Sequence, residues 1–398
     1  MGQIDRKAEE MECSYRIENG RAVIDKILDP GQSVAVPGEL DGYPVTELGA
    51  YALADSDVEE LYLPARLVKI GAYAFYNCKN LRRITCYGRT MDLGTGLFAG
   101  VQTVEYLDIT LLCGERSCLK ELLSELRQTL RVRIREVESD AGRNPAEGSA
   151  IGAARGDPAE GSAIRVARGN PAEGGIPESA RMNPTKEGDY AAGAETVMGK
   201  NQDAGDISHA RLIFPEYYED SVENTPARIV SIETHGCGHR YRYCFQNRVF
   251  QYKDYDAIFP HMKVQEPEAL AAELAFCRLR YPLGLTETCA GEYRAYLAEH
   301  WQTAGRILIQ ADRPRCDHAT NLDPGQLPWL VEQVLEPEAP DRVLTEMLPS
   351  YITMAQELGD TEMVSWMMDY KYKRGKNIVP DQFRPSTLPA PRPRRFEL

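Results

Sequence analysis

The sequence predicts an α/β protein that consists of a short repeat solenoid, a disordered linker and a separate, mostly helical α+β C-terminal domain. Three observations predict this fold class. Apolar residues recur with a period of about 23 residues near the N-terminus, which is typical of a solenoid. Residues 138–208 contain no Leu, Phe, Trp or Cys. Beyond about residue 267, apolar residues recur at helical spacing.

The composition excludes several classes of partner. The 398 residues carry 46 Lys and Arg against 60 Asp and Glu, a formal net charge of −14. Because nucleic acids and anionic membranes require a clustered basic surface, we expect neither as a partner. No segment approaches eighteen consecutive apolar residues, and charges occupy the N-terminus where a signal peptide is apolar. We therefore expect a soluble, cytoplasmic chain without a leader, whose ten cysteines are reduced thiols.

Two apolar patterns recur in step between residues 48 and 109. The first, Ile70-Gly71-Ala72-Tyr73-Ala74-Phe75, has counterparts at residues 48–53 and 93–98. Its glycine indicates a sharp turn, and its aromatic residue can fill the core between coils. The second pattern alternates as a strand does, which points its apolar members inward. Its members are Val58, Leu61 and Leu63, then Leu81, Ile84 and Cys86, then Val104, Leu107 and Ile109.

Both ends of a solenoid need a cap, because no single coil can bury its own apolar face. Asn19-Gly20 lies between alternating apolar residues, which predicts a hairpin in an N-terminal cap over residues 1–33. At the other end, a leucine stripe behind Ser117 as N-cap predicts a capping helix within a solenoid that spans residues 34–137. The stripe consists of Leu119, Leu122, Leu123, Leu126 and Leu130.

The segment from Val34 to Ile109 resembles the BspA-type leucine-rich repeats, whose unit combines an apolar strand, a proline, Ile-Gly-x-x-Ala-Phe and a cysteine or similar residue. Asp41-Gly42-Tyr43-Pro44-Val45 and Ala74-Phe75-Tyr76-Asn77-Cys78 match this unit. The last coil departs from it, because Leu97 replaces the alanine and no cysteine follows Phe98, so we expect a distorted coil there. The resemblance implies a short curved solenoid that binds proteins or glycans, without catalysis.

The rest of the chain divides into three parts. Residues 138–208 have too little apolar surface to offset the entropy of ordering, which predicts a disordered linker. Residues 209–375 are predicted to form the α+β, mostly helical domain, in which Ala355 to Met368 resembles one ankyrin-type helical hairpin. Residues 376–398 are rich in Pro and Arg and are predicted to be a disordered tail. Within the domain we expect a strand at Arg228–Ile232, a hairpin between His239 and Tyr252, a continuous helix from Tyr293 to Leu308 and a helix that begins at Asp323-Pro324.

Candidate chemistry in the C-terminal domain is weak. His235, Cys237 and His239 are residue types that bind zinc, but their alternate spacing does not match closed zinc sites. The intervening glycines are interpreted as turn residues, so no metal is expected, although the question stays open. Cysteines such as Cys237 and Cys277 could be combined with any of several histidines, so the sequence indicates no particular catalytic pair. No catalytic signature surrounds these cysteines. We predict no catalytic residue, no cofactor and no enzymatic activity.

The outward positions of the solenoid strands form columns, which we call the strand face. Tyr and Arg are the residues that most often carry binding energy, so we predict that a protein partner binds there. Three alternatives remain open: a merely solvated face, a C-terminal enzyme or metal-binding domain targeted by the repeats, and a cell-surface adhesin. Whether a small molecule binds is undetermined. The predicted partner-binding residues are Glu60, Tyr62, Arg83, Thr85, Tyr87, Tyr106 and Asp108.

Overall fold

The computed structural model of the chain describes residues 12–138, 207–224, 229–312 and 320–378. The predicted linker between residues 139 and 206 and the predicted tail after residue 378 lie outside the described residues. The strands before residue 138 are β1 (Cys13–Glu18), β2 (Arg21–Ile27), β3 (Ser33–Ala35), β4 (Glu39–Leu40), β5 (Tyr43–Leu48), β6 (Glu60–Tyr62), β7 (Lys69–Ile70), β8 (Arg83–Tyr87), β9 (Asp92–Leu93), β10 (Tyr106–Leu112) and β11 (Leu130–Val137), with one helix, α1 (Leu119–Glu125).

These strands build a β-solenoid of about five turns around one apolar core, as predicted. One sheet has the order β1-β2-β5-β7-β9, and β4 pairs with β5. The other contains the parallel strands β3, β6, β8, β10 and β11. Leu61 pairs with Ile84, and Ile84 pairs with Leu107, in register. All three side chains are buried, which confirms that the inward residues stack in ladders.

The repeated glycines are required by the close approach of adjacent coils. A Cβ atom on Gly71 would lie 2.4 Å from the backbone nitrogen of Ala50, and one on Gly94 would lie 2.2 Å from that of Ala72. Neither glycine has a positive φ. The sharp turn expected at these positions is therefore not the reason for glycine, because the missing side chain is what allows the next coil to stack.

The first two strands form a hairpin whose turn is Asn19-Gly20. Glu18 pairs with Arg21, and both turn residues have positive φ, 50° and 72°. Positive φ at both central residues is characteristic of the tight hairpin turn that Asn-Gly favours. Strand β2 then pairs in parallel with β5, so the hairpin extends one of the two solenoid sheets.

The predicted capping helix is shorter than expected and does not close the solenoid. Helix α1 ends at Glu125, and Cys118 rather than Ser117 precedes its first residue. Leu130 begins strand β11, which pairs in parallel with β10 and adds another coil. The physical reason is strand alternation, because Leu130, Val132 and Ile134 are buried in the solenoid core while Arg131 and Arg133 lie on the opposite face of the strand.

The C-terminal region begins within the solenoid sheet. Its strands are β12 (Ile207–Phe214), β13 (Tyr218–Asn224), β14 (Ile229–His235), β15 (Phe245–Gln246) and β16 (Val249–Phe250). Strand β12 pairs antiparallel with β11 over its whole length. Arg242 is buried, and its Nη2 donates to the carbonyl oxygens of Leu126 and Gln128 at 2.9 and 2.8 Å. The described residues before and after the linker thus belong to one compact unit.

The mostly helical C-terminal region predicted from the sequence is present, and its helices pack around a buried apolar core. They are α2 (Gly238–Tyr241), α3 (Tyr252–Asp256), α4 (Phe259–Gln265), α5 (Glu268–Arg280), α6 (Glu287–Glu299), α7 (Trp301–Ala311), α8 (Leu327–Leu330), α9 (Glu336–Glu338), α10 (Pro340–Arg342), α11 (Leu348–Leu358) and α12 (Thr361–Ile378), with π-helical turns at Val331–Leu335 and Val343–Met347. No helix in this described set is long and apolar enough to cross a membrane.

Two local predictions in this region were wrong, and the predicted hairpin is present only in part. The continuous helix from Tyr293 to Leu308 is two helices, because His300 leaves helical geometry with φ −99° and ψ 34°. The hairpin between His239 and Tyr252 is reduced to two-residue strands that follow helix α2. The helix expected at Asp323 begins at Leu327, because the Asp323 side chain instead pairs with Arg211. Helices α11 and α12 pack against each other as a helical hairpin around Gly359, which has a positive φ of 76°.

Candidate functional site

The strand face has the columns that the 23-residue period predicts. Glu60, Arg83 and Tyr106 are paired in register from strand to strand, as are Tyr62, Thr85 and Asp108. Tyr87 pairs with Thr110 in the next column. All seven predicted partner-binding side chains are half-buried on this face.

Two predicted residues are linked by an ion pair. Arg83 Nη1 donates to Asp108 Oδ2 at 2.7 Å, and the Arg83 guanidinium lies 4.3 Å from the centre of the Tyr106 ring. In the preceding coil, the Tyr62 hydroxyl donates to Glu60 Oε2 at 2.9 Å. These contacts fix the orientation of the side chains before any partner arrives, which lowers the entropy cost of binding.

One end of the strand face is covered by the C-terminal region. The backbone N–H of Thr320 donates to the Tyr106 hydroxyl oxygen at 2.8 Å, and burial raises the pKa of Tyr106. Arg131, the next residue in that column, is buried and forms an ion pair with Glu273 of helix α5. Of the predicted residues, Tyr106 therefore serves internal packing, whereas the other six lie on the rest of the face.

A cleft of about 430 Å³ opens where the solenoid meets the C-terminal region, and we call it the basic cleft. It contains three predicted residues, and strands β11 and β12 add three arginines and one histidine that the sequence analysis did not assign to the site. Its polar and aromatic lining consists of Thr85, Tyr87, Asp108, Thr110, Arg133, Arg135, His209, Arg211 and Tyr281.

Two rungs of the basic cleft place basic side chains directly opposite each other. Arg133 pairs in register with Arg211, and Arg135 pairs in register with His209. The first rung is compensated, because Arg211 donates to Asp323 Oδ2 at 2.5 Å and Arg133 Nε donates to the Asn321 side chain at 2.9 Å.

The second rung has no such compensation. Within the described ranges, neither Arg135 nor His209 has a carboxylate partner. Desolvation, and then the positive charges of Arg135 and Arg211, lower the pKa of His209. This shift favours the neutral imidazole, so an anion placed here would accept hydrogen bonds from the Arg135 guanidinium and from an imidazole N–H of His209, and the cleft suits a carboxylate or another anion.

A sequence signal for these cations was present. Residues 130–135 read Leu-Arg-Val-Arg-Ile-Arg, which alternates as a strand does and places its arginines on one face. The leucine stripe of the predicted helix hid this signal, because Leu130 fits both patterns. The contribution of His209 and Arg211 could not be found in the same way, since it depends on pairing across the linker.

The suspected zinc ligands do not converge. His235 stacks on Tyr218 with ring centres 4.6 Å apart, whereas His239 packs against Tyr243. Cys237 is buried, and burial together with its hydrogen bond to Glu266 raises the pKa of its thiol. Within the part of the chain that the structure describes, no group of three or more His, Cys, Asp or Glu side chains could hold a metal ion.

Comparison with known protein families identifies the repeats. Residues 45–117 match the BspA type leucine rich repeat region in six copies, which confirms the resemblance seen in the sequence. No family matches the C-terminal part. Comparisons with curated proteins and with solved structures gave no match.

Proposed function

We propose that this chain is a non-enzymatic protein-interaction module that binds an acidic, extended segment of a partner protein through the strand face. The observation that carries the proposal is the uncompensated rung of Arg135 and His209 in the basic cleft. Stacked leucine-rich repeats support the general role, because they present side chains in regular columns to a partner.

The energetics favour an anionic partner. Arg135 supplies the fixed positive charge of this rung, because the lowered pKa of His209 favours its neutral form. A folded chain with a net charge of −14 nevertheless concentrates basic side chains in this cleft. A carboxylate that accepts hydrogen bonds from Arg135 would form a charge-assisted contact, which is stronger than a neutral one.

The size of the face fits an extended peptide. Six strands, from β3 to β12, lie about 4.8 Å apart, so the sheet is roughly 24 Å across. At the N-terminal end of strand β10, the contact of Tyr106 with residue 320 covers the strand face. A peptide that crosses the remaining strands would meet Tyr62 and Tyr87 before it reaches Arg135, so aromatic contacts would add to the charged one.

The test uses a fluorescent hexaglutamate peptide and the full-length chain. We expect anisotropy to show binding that Arg135→Glu weakens at least tenfold. Arg66→Glu is the matched control, because Arg66 is exposed on the solenoid away from the basic cleft and the change in charge is identical. Equal weakening by both variants would mean that binding depends only on the overall charge of the chain. Unchanged binding by Arg135→Glu would show that the basic cleft is not the binding site.

The aromatic part of the face is tested separately. Tyr62→Ala and Tyr87→Ala should leave folding nearly intact, since both side chains are only half-buried. If the peptide crosses the strands, each variant should weaken capture of a longer acidic peptide more than capture of hexaglutamate. Unchanged affinity for both peptides would confine the site to the charged end of the cleft.

A further inference from the structure

Three exposed tyrosines form a second surface on the turns of the solenoid, which we call the tyrosine patch. Tyr51, Tyr73 and Tyr76 are 50%, 36% and 41% exposed. The rings of Tyr51 and Tyr73 are stacked, with centres 5.3 Å apart and planes 13° apart. Tyr76 stands edge-on to both rings, at 6.4 and 6.2 Å, so the three rings form an aromatic corner. None of these residues belongs to the strand face.

Two of these tyrosines occupy backbone positions that favour glycine. Tyr51 and Tyr73 have φ values of 56° and 57°, and the equivalent residue of the next coil is Gly96, with φ 64°. A bulky side chain at positive φ is strained, whereas glycine is not. The fold therefore accepts glycine at this position, and the two stacked tyrosines carry a backbone strain that glycine would not. Strain of this kind concentrates at functional sites.

The charges near the patch are acidic. Asp55 lies on the same turn as Tyr51, and its Oδ1 accepts a hydrogen bond from Asn77 at 2.6 Å. The turns at residues 49–57 and 71–78 contain no Lys or Arg. In the described chain, Asp55 has no ion-pair partner. The patch thus combines exposed aromatic faces with a carboxylate, and the two turns that form it carry no cation.

Elsewhere the same chain supplies arginine to its tyrosines. The guanidinium groups of Arg83 and Arg211 lie 4.3 and 4.1 Å from the ring centres of Tyr106 and Tyr281. In both cases the arginine also pairs with an aspartate. The tyrosine patch presents the two acceptor components of this arrangement, the ring and the carboxylate, without the arginine.

We infer that the tyrosine patch binds arginine side chains from an extended segment of a partner protein. A guanidinium would lie against a tyrosine ring and donate to the Asp55 carboxylate, which combines a cation–π contact with a charge-assisted hydrogen bond. Arginine suits this site better than lysine, because its planar group stacks on aromatic faces. The inference does not depend on the basic cleft, so the two sites can be tested apart.

The test compares two labelled eight-residue peptides, one alternating serine with arginine and the other serine with lysine. With the full-length chain, we expect the arginine peptide to bind at least fivefold more tightly. The double variant Tyr51→Gly/Tyr73→Gly should remove this preference while its circular dichroism spectrum stays that of the folded chain, because the equivalent position of the next coil is a glycine with positive φ. Tyr43→Ala is the control, since Tyr43 is an exposed tyrosine, 40% accessible, outside the patch.

A second variant tests the inference even if the double variant does not fold. Tyr76 has no positive φ, so Tyr76→Ala removes the third ring without a change in backbone preference. It should weaken binding of the arginine peptide at least threefold, and Asp55→Asn should do the same. Equal affinity for the two peptides in the wild-type chain, or full binding by Tyr76→Ala and the double variant, would overturn the inference.

Discussion

Replacing Glu273 with alanine should strongly destabilise the chain. Arg131 Nε and Nη2 donate to the two Glu273 carboxylate oxygens, both at 2.9 Å, and the side chains are only 10% and 7% exposed. Glu273 also accepts from the backbone N–H of Asn321. Removal of one partner from a buried pair costs about 3–5 kcal/mol, because the other charge stays buried. We therefore expect Glu273→Ala to lower the free energy of unfolding by about 4 kcal/mol.

Urea denaturation, followed by far-UV circular dichroism and by tryptophan fluorescence, measures this loss. Arg342→Ala is the matched control, because Arg342 pairs with Glu346 on an exposed helix face and its removal should leave the midpoint unchanged. The double variant Arg131→Met/Glu273→Leu should recover most of the lost stability, since apolar residues of similar volume can replace a buried pair.

The same measurement tests whether the solenoid and the C-terminal region unfold together as one unit. Because Arg131 lies in strand β11 and Glu273 in helix α5, the pair joins the two regions, and we expect both spectroscopic signals to shift together. A loss below about 1 kcal/mol in Glu273→Ala, or a shift confined to one signal, would refute the reasoning that this contact couples them.

Three further perturbations test separate parts of the structure. Phe75→Ala should cost about 3–5 kcal/mol in urea denaturation, because Phe75 is buried between coils, and a loss under 1 kcal/mol would contradict that. Gly94→Ala should destabilise by about 1–3 kcal/mol through its clash with the backbone of the preceding coil, whereas Gly291→Ala, with open space in helix α6, should stabilise by about 0.5–1 kcal/mol. The lowered pKa of His209 means that the unfolded chain binds more protons, so its contribution to stability falls as the pH drops through about 6.5. An acidic ligand should raise that pKa, so hexaglutamate should bind more tightly at about pH 6 than at about pH 8, and an equal increase in His209→Asn would exclude this histidine as its cause.

The repeated coils could be predicted from the sequence because two independent signals share one period. Strand alternation placed Leu61, Ile84 and Leu107 inward, and the constant step placed them in one ladder. The outward columns followed from the same arithmetic. A fixed period therefore predicts both the core and the register of the face, which no single motif could do.

The end of the solenoid could not be predicted with the same rule, because the repeat signal fades there. Leu130 satisfies a helical stripe with the preceding leucines and also begins an alternating strand. In the structure the strand prevails, since β11 finds partners on both sides, in β10 and in β12. A local pattern cannot reveal this outcome, because the second partner lies more than 60 residues away along the chain.

The regular columns of the strand face are a general property of the repeats, whereas the basic side chains of the cleft come from strands outside them. The matched repeats end at residue 117 and contribute Thr85, Tyr87 and Asp108, whereas Arg135 and His209 come from strands outside the match. If the proposed recognition of an acidic segment is correct, the basic side chains that select the partner come from β11 and from β12, which returns to the solenoid sheet. A chain cut after the repeats would keep the columns as far as β10 and lose all four basic side chains of the cleft, so it should bind hexaglutamate more weakly than the full chain even where the coils remain folded.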